Sequence, residues 1–519
     1  MKTGADHLCD ALLALGVDTC FANPGTSEMH FVAALDRRLD MRCVLGLFEG
    51  VVTGAADGYG RMTDRPAATL LHLGPGLANG LANLHNAGRA GTPIINIVGE
   101  HSTAHLPLDA PLTSDIETLA RPMSAFVRRI GSAASIEQDV TDAWDASLAN
   151  GIATLILPAD MAWSERRAGA PLKRRSPPPR REVDPDKFKT VVERLRSGCK
   201  AALILSGQGL RADALADAER ICAKTGARLF AQGVNGRIER GRGRAPIEKI
   251  SFAWEPGRAA LAGLDMIVLI GAKEPVTFFG YPTQSGRLVP EGSSVVELGG
   301  LGHDLKGILA NLAEAVGAKS AARSHAGPPA GAEVSLPASG TLTADMINRV
   351  VAAKLPENAI VCDEAITSAG FYELSYHAPA HDYLQITGGA IGIGMPMAAG
   401  AAIACPGRKV VSLQADGSGL YTLQGLWTQA REKLDIVTII FANRGYAILH
   451  GEMRKVGVAS PGQNARRMLD IEDPEIDWVK LAGGMGVAAE RVSTVQRFAE
   501  VFDAALRQRG PFVIEASLL

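Results

Sequence analysis

The sequence predicts an α/β protein built of three doubly wound parallel-sheet domains. Short apolar runs alternate along the whole chain with stretches of helical periodicity, which is the signature of parallel strands wound with helices. The chain has 57 glycines but an aromatic content of only 5%, so its core has to be built from Ala, Val, Leu and Ile around many tight turns. Its 519 residues, at roughly 150 per domain, correspond to about three domains.

Two stretches divide the chain. Between 165 and 186, Arg166, Arg167, Lys173, Arg174 and Arg175 precede Pro177-Pro178-Pro179, Arg180 and Arg181, with almost nothing to bury. Without interleaved aromatics, this basic run reads as a proline-stiffened connector and not as a nucleic-acid patch. The stretch 319–339 is rich in Ala, Gly, Pro and Ser and reads as a second linker. Three segments remain: 1–164, 187–318 and 340–519. In the first, strands are expected at Thr19–Ala22, Arg42–Phe48, Ala67–His72 and Ile94–Val98. The second offers Ala201–Leu205, Ala227–Ala231, Met266–Ile270 and Ser294–Leu298. The third offers Ala359–Cys362, Lys409–Leu413, Ile436–Phe441 and Phe512–Ala516.

Composition excludes several classes. Lys and Arg total 53 against 55 Asp and Glu, so there is no broad electrostatic footprint for nucleic acid or an anionic membrane. No apolar run reaches the roughly 18 residues of a membrane helix and the start lacks an apolar signal core, so a cytoplasmic location is expected. Seven cysteines, an odd number without a Cys-x-x-Cys pair, indicate neither a disulfide framework nor a zinc site.

In open parallel sheets ligands bind beyond the carboxyl ends of the strands. The run Lys409–Gln414 leads into Ala415-Asp416-Gly417-Ser418-Gly419; an amphipathic stretch from Leu420 to Leu434 follows, then Ile436–Phe441, ending at Ala442-Asn443. From Asp416 to Asn443 is 443 − 416 = 27 positions, about one β-α-β unit, so both side chains should emerge at one sheet edge. One carboxylate and one amide oxygen suit a hard cation such as Mg²⁺ that shares its shell with phosphate. Gly417, Ser418 and Gly419 would let backbone N–H groups approach that phosphate. On this pair alone, a plain strand-to-helix turn with an N-cap explains the residues equally well.

This stretch resembles the signature of thiamine-diphosphate enzymes, normally Gly-Asp-Gly followed by a paired Asn-Asn. Here the first Gly is Ala415 and the pair reads Ala442-Asn443. The resemblance implies Mg²⁺ on Asp416, Asn443 and the carbonyl of Gly445, anchoring the cofactor diphosphate. An independent match lies in the first segment, where the apolar Val44–Phe48 leads to Glu49. By the resemblance Glu49 takes the place of the glutamate that the family sets against the aminopyrimidine ring, where desolvation should favour its neutral form; an exposed carboxylate near a helix N-terminus is the bland alternative. Asn23-Pro24-Gly25-Thr26-Ser27-Glu28 and Leu71–Asn79 are similar to benzoylformate decarboxylase and to the acetolactate synthase large subunit. By that resemblance His72 and Thr26 face the substrate, although a strand-end histidine and a turn hydroxyl are their bland alternatives. Gly388-Gly389-Ala390-Ile391-Gly392 is similar to the stretch that bends the cofactor, with Ile391 as the wedge and the Gly389 carbonyl as acceptor. Thr367 and Ser368 match diphosphate-binding hydroxyls, and Tyr446 follows the metal loop.

The resemblance therefore implies non-oxidative decarboxylation of a small 2-oxo acid through a cofactor-bound enamine, released as aldehyde or ligated to a second carbonyl. It also implies a site shared between subunits of a homodimer or homotetramer. Departures restrict the substrate. The middle-segment stretch Pro275–Tyr281 lacks the second active-site histidine of benzoylformate decarboxylases, and Leu449 replaces the glutamate that pyruvate decarboxylases carry after the metal loop. His450 and Glu452 nearby read as solvated or loop-stabilising. The lone Gly207-Gln208-Gly209 is weak support for FAD, which part of the family holds in this domain, and a flavin-free enzyme is the preferred reading. The rivals are an acetolactate synthase catalytic subunit, a pyruvate-oxidase-like enzyme, and a non-catalytic cofactor-binding relic of the fold.

Overall fold

The computed structural model describes residues 2–166, 175–280, 282, 284–318 and 339–518. Residues 167–174 of the first expected linker, nearly all of the second (319–338) and Tyr281 lie outside the described residues. The chain divides into two compact units, one formed by 1–178, 335–372 and 386–519, the other by 179–334 and 373–385.

In the first unit, one parallel sheet contains β1 (Thr19–Asn23), β2 (Arg42–Leu45), β3 (Ala67–Leu71), β4 (Ile94–Glu100), β5 (Phe126–Arg129) and β6 (Ile152–Pro158) in the order β2-β1-β3-β4-β6-β5. Strands β4 and β6 are buried along their whole length. A near-continuous apolar run is what a parallel strand covered on both faces requires. The expected strand Arg42–Phe48 is shorter than predicted. It stops at Leu45, and Phe48 is the extended residue before α1 (Glu49–Thr63), so Glu49 opens a helix instead of closing a strand. Likewise β3 ends at Leu71, and His72 immediately precedes α2 (Leu73–Ala90).

The second unit carries β7 (Ala201–Leu205), β8 (Arg228–Ala231), β9 (Glu248–Lys249), β10 (Met266–Ile270) and β11 (Ser294–Gly299), all parallel in the order β9-β8-β7-β10-β11. Ile238–Arg240 also pairs antiparallel with His381–Gln385.

The remaining strands of the first unit are β12 (Ile360–Glu364), β13 (Val410–Ala415), β14 (Ile436–Ala442), β15 (Ala488–Val492) and β16 (Phe512–Ser517), with parallel pairing in the order β12-β13-β14-β16-β15. The expected helix 420–434 is broken into a 3₁₀ turn, Leu420–Thr422, and a helix, Gly425–Arg431. Gly425 opens the second helix after the break, and a Cβ there would make only ordinary contacts with Met395 and Pro396.

The two sheets of this unit meet through α1 and α3 (Gly394–Ala404). Both helices are almost entirely buried and rich in small residues. A Cβ on Gly58 would run into the Met397 carbonyl and one on Gly400 into the Ala55 carbonyl, so the backbones approach as closely as only glycine allows. Buried Arg61 reinforces the contact, pairing with Asp57 at 2.5 Å and donating to Thr387 at 3.1 Å. Among the described residues no helix is long and apolar enough to cross a membrane.

Candidate active site

The chain runs from β1 to β2 on one side and returns to β3 on the other, so the loops after β1 and β3 flank a topological switch point, where α/β sheets bind ligands. His72 stands there with its Nδ1 2.7 Å from Glu28 Oε2, a carboxylate only 2% exposed. Glu28 also accepts from the Gly25 amide at 2.8 Å and from the Ser27 hydroxyl at 2.7 Å, and Ser27 Oγ lies 3.3 Å from His72 Nδ1. Gly25 has to be glycine, because a Cβ would overlap the imidazole. With Nδ1 held, Nε2 is the nitrogen left for a ligand. Thr26 is exposed on the same turn, and the hydroxyl the structure sets beside His72 is that of Ser27.

Glu49 opens α1, nearly buried. Its carboxylate has a side-chain partner: Asn79 Nδ2 donates to its Oε2 at 3.0 Å, while Oε1 faces Gly76, where a Cβ would sit 3.3 Å away.

On the second sheet of this unit, Asp416 and Asn443 follow the adjacent parallel strands β13 and β14, as the spacing requires. Asp416 is buried. Its Oδ1 accepts from the Gly417 amide at 2.8 Å and its Oδ2 from the Arg444 amide at 2.7 Å. Burial raises its pKa, and these backbone donors oppose the rise. Asn443 Oδ1 accepts from the Gly445 amide at 3.2 Å. The Ser418 hydroxyl is tied to Gln414 Nε2 at 2.6 Å and the Ala415 carbonyl at 3.2 Å. Tyr446 packs its ring against Gly417, and burial, then Tyr421, raise its pKa. Thr367 is exposed and Ser368 buried in the turn after β12. His450 ties down this loop region through Asp470 (2.7 Å), and Glu452 pairs with Lys455 in solvent.

The glycine-rich stretch 388–394 is gripped at both ends by buried polar groups. At one end Asn86 of α2 accepts from the amides of Gly388 (3.0 Å) and Ala390 (3.3 Å) and donates to the Ala390 carbonyl (2.7 Å). His85 Nε2 adds a contact to the Gly388 carbonyl at 3.1 Å. At the other end Glu364 accepts from the amides of Gly392 (2.5 Å) and Gly394 (2.6 Å). Between the clamps, Gly389 and Gly392 have φ of +77° and +98°, Gly389 is exposed, and Ile391 is half-buried.

Backbone strain marks the same strand ends. Leu73, Ile366 and Arg444 have φ of +48°, +53° and +58° in the turns after β3, β12 and β14. For bulky or β-branched residues this conformation is costly and is characteristic of ligand-clamping turns.

The predicted residues thus form two groups, one around Glu49 and His72 and one around Asp416, Asn443 and Ile391. No hydrogen bond among the described residues joins Glu49 to Asp416 or Asn443. Sequence reasoning passed over Glu28, Asn79, Asn86, Glu364 and Gln414. Glu28, Asn79 and Gln414 lay within stretches already singled out, and for Glu364 an acidic residue closing an apolar run, as in Ile360-Val361-Cys362-Asp363-Glu364, was an available signal. Asn86 lies mid-helix and carries no such signal.

Among the described residues no group of three or more His, Cys, Asp or Glu could hold a metal alone. The donors that are present fit Mg²⁺ with a diphosphate: they are hard oxygens, few in number, and Asp416 is a buried carboxylate whose described partners are backbone amides only. In the second unit an open cleft of about 860 Å³ lies beyond β10 and β11, lined by Lys187, Lys273, Glu274 and Glu297 among others. None of the predicted site residues lines it.

Residues 2–119 match the family described as thiamine pyrophosphate enzyme, N-terminal TPP binding domain, and residues 367–516 match its C-terminal TPP binding domain. A Mycobacterium tuberculosis protein carrying the provisional name acetolactate synthase large subunit IlvX is 47% identical over 99% of this chain and 98% of its own. Benzoylformate decarboxylase of Pseudomonas aeruginosa is 28% identical over 99% and 98%. The solved thiamine diphosphate-dependent 4-hydroxybenzoylformate decarboxylase of Rhodococcus jostii superposes with a TM-score of 0.86 at 27% identity, covering 99% of each chain.

Proposed function

The chain belongs to the thiamine pyrophosphate enzyme family, and we propose that it is a Mg²⁺-dependent, non-oxidative decarboxylase of a small 2-oxo acid. One observation carries this reading. Glu49 and a Glu28-oriented His72 stand at one sheet edge, and Asp416 and Asn443 stand at the equivalent edge of the other. A relic that merely bound the cofactor would need neither Glu49 nor a histidine held by a buried carboxylate.

When bound, thiamine diphosphate supplies the nucleophile for the keto carbon and the electron sink for decarboxylation. The protein supplies position and protons. Asp416, Asn443 and the Gly445 carbonyl would hold Mg²⁺, with Thr367, Ser368 and Gly417 beside the diphosphate. The Ser418 hydroxyl, committed to Gln414 and Ala415, shapes that turn. Glu49, steadied through Oε2 by Asn79, would exchange a proton with the aminopyrimidine through Oε1. Ile391 would set the bend, and the Gly389 carbonyl would accept from the ring amino group. His72 Nε2 would position the substrate carboxylate and deliver the proton that replaces the lost carboxylate on the former keto carbon. Thr26 lines the entrance.

A homodimer or homotetramer would join Glu49 of one subunit to Asp416 of another. Exposed apolar side chains flank both groups: Leu47 beside Glu49, and Tyr421, Ile448 and Leu449 beside the metal turn. That pattern supports a covered interface.

The carboligating alternative, an acetolactate synthase catalytic subunit, is favoured by the 47% relative and by the open cleft in the second unit, where a flavin would find room. Product analysis decides between them. With a panel of aliphatic and aromatic 2-oxo acids, CO₂ with an equimolar aldehyde and no flavin absorbance is expected. CO₂ with acetolactate, or a flavin spectrum, supports the alternative, and no CO₂ from any acid overturns the reading.

A further inference from the structure

Glu364 belongs to no motif used above, yet it is a fully buried carboxylate with three hydrogen-bond donors. It ends β12, is fully buried, and both its oxygens take donors from other segments. Oε1 accepts from the Gly392 amide at 2.5 Å; Oε2 accepts from the Gly394 amide at 2.6 Å and from Gln414 Nε2 at 3.1 Å. Burial pushes its pKa up to about 7, against the pull of these donors. Gln414 in turn reaches Ser418 Oγ at 2.6 Å, and Thr422 Oγ1 donates to the Gly392 carbonyl at 2.7 Å. One carboxylate therefore connects the end of the Gly389–Gly392 stretch to the turn that carries Asp416.

The simplest role for such a group is to cap α3, whose N-terminus has no side-chain cap of its own. Three observations go further. The capped amides are Gly392, at φ +98°, and Gly394, the first residue of α3, so the carboxylate fixes where the left-handed turn ends. Asn86 grips the opposite end of the same stretch, leaving Gly389 to Ile391 spanned between two buried anchors. A Cβ on Gly394 would collide with Gln414 and approach Glu364, so the contact depends on glycine there.

We propose that Glu364 is a positioning residue for the cofactor, holding the Gly389–Ile391 stretch at the height where the aminopyrimidine rests and tying it to the Asp416 turn through Gln414. This rests on the function proposed above. Glu364→Gln keeps the shape but offers one acceptor and one donor where two acceptors are needed, so a glycine amide loses its partner.

The test uses the full-length protein loaded with thiamine diphosphate and Mg²⁺, without substrate, and follows hydrogen–deuterium exchange at the thiazolium C2 by acid quench and NMR. Cofactor affinity by calorimetry and thermal melting accompany it. Glu364→Gln is expected to melt cooperatively and to keep cofactor affinity within about threefold, while C2 exchange slows by at least about tenfold, the scale of one lost charge-assisted hydrogen bond. Gln414→Met, which leaves the cap and cuts only the link to the metal turn, is expected to slow exchange by about threefold, a weaker effect of the same sign. A Glu364→Gln variant that folds and exchanges at the native rate overturns the proposal. If that variant does not fold, native exchange in Gln414→Met overturns it and slowed exchange supports it. A native protein that binds no cofactor overturns the proposed function itself, and the Glu364 role with it.

Discussion

Replacing Glu28 with Gln tests the His72 assignment. In the native protein the imidazole Nδ1 lies 2.7 Å from a carboxylate that is 2% exposed. Two unit charges about 4 Å apart attract by about 4 kcal/mol at an effective dielectric of about 20, which is an upper bound. The net worth of a hydrogen bond to a charged group is about 1.5–3 kcal/mol. Taking about 2 kcal/mol, and about 1.4 kcal/mol per decade of rate, kcat should fall about thirtyfold. The loss belongs in kcat more than in KM, because the carboxylate stabilises the imidazolium that acts in the proton-transfer step. The assay is steady-state CO₂ release between pH 5 and 9 on the best substrate, with a melting curve as a folding control. A folded Glu28→Gln protein with native kcat would refute the orientation of His72 by Glu28.

Other outcomes follow from the same structure. His381 is buried in the second unit and its pKa is lowered to about 4 by desolvation. The unfolded chain therefore takes up a proton below about pH 6.5 that the folded unit refuses until about pH 4, and stability should fall by up to about 3 kcal/mol across that window and then level off. Urea denaturation at pH 7.5, 5.5 and 4.5 should show a shallower acid limb in His381→Gln. Gly400→Val drives a side chain into the Ala55 carbonyl at the α1–α3 contact, and should destabilise the first unit by at least about 3 kcal/mol or abolish folding, read by thermal melting. Asn79→Leu leaves Glu49 Oε2 without its donor, so the proton-exchange step should slow by about tenfold at unchanged thermal stability, read from CO₂ release at saturating substrate.

Most of the scaffold was readable because parallel strands buried on both faces are short apolar runs. All twelve expected strands are present, and Ala201–Leu205 and Met266–Ile270 have the predicted bounds. The apolar Ile152–Pro158 offered the same signal and was passed over, whereas Phe126-Val127-Arg128-Arg129 is half polar and becomes a strand only by pairing with β6. Helix starts were read less well. Gly46 to Phe48 continue an apolar pattern but serve as the approach to α1, since nothing local distinguishes a strand's last residues from the extended residue before a helix. For the site, spacing placed Asp416 and Asn443, because a β-α-β unit has a nearly fixed length. The residues that orient others, namely Glu28, Asn79, Asn86 and Glu364, act through contacts between segments far apart in sequence, and only Glu364, closing an apolar run, had a local pattern to mark it.

The most direct test of the central claim is calorimetric titration of metal-stripped protein with thiamine diphosphate, with and without Mg²⁺, in the native protein and in Asp416→Ala. The native protein should bind at micromolar concentration only when the divalent cation is present, and Asp416→Ala should not bind although it melts like the native protein. Absence of binding to the native protein, or binding that survives in Asp416→Ala, would contradict that claim.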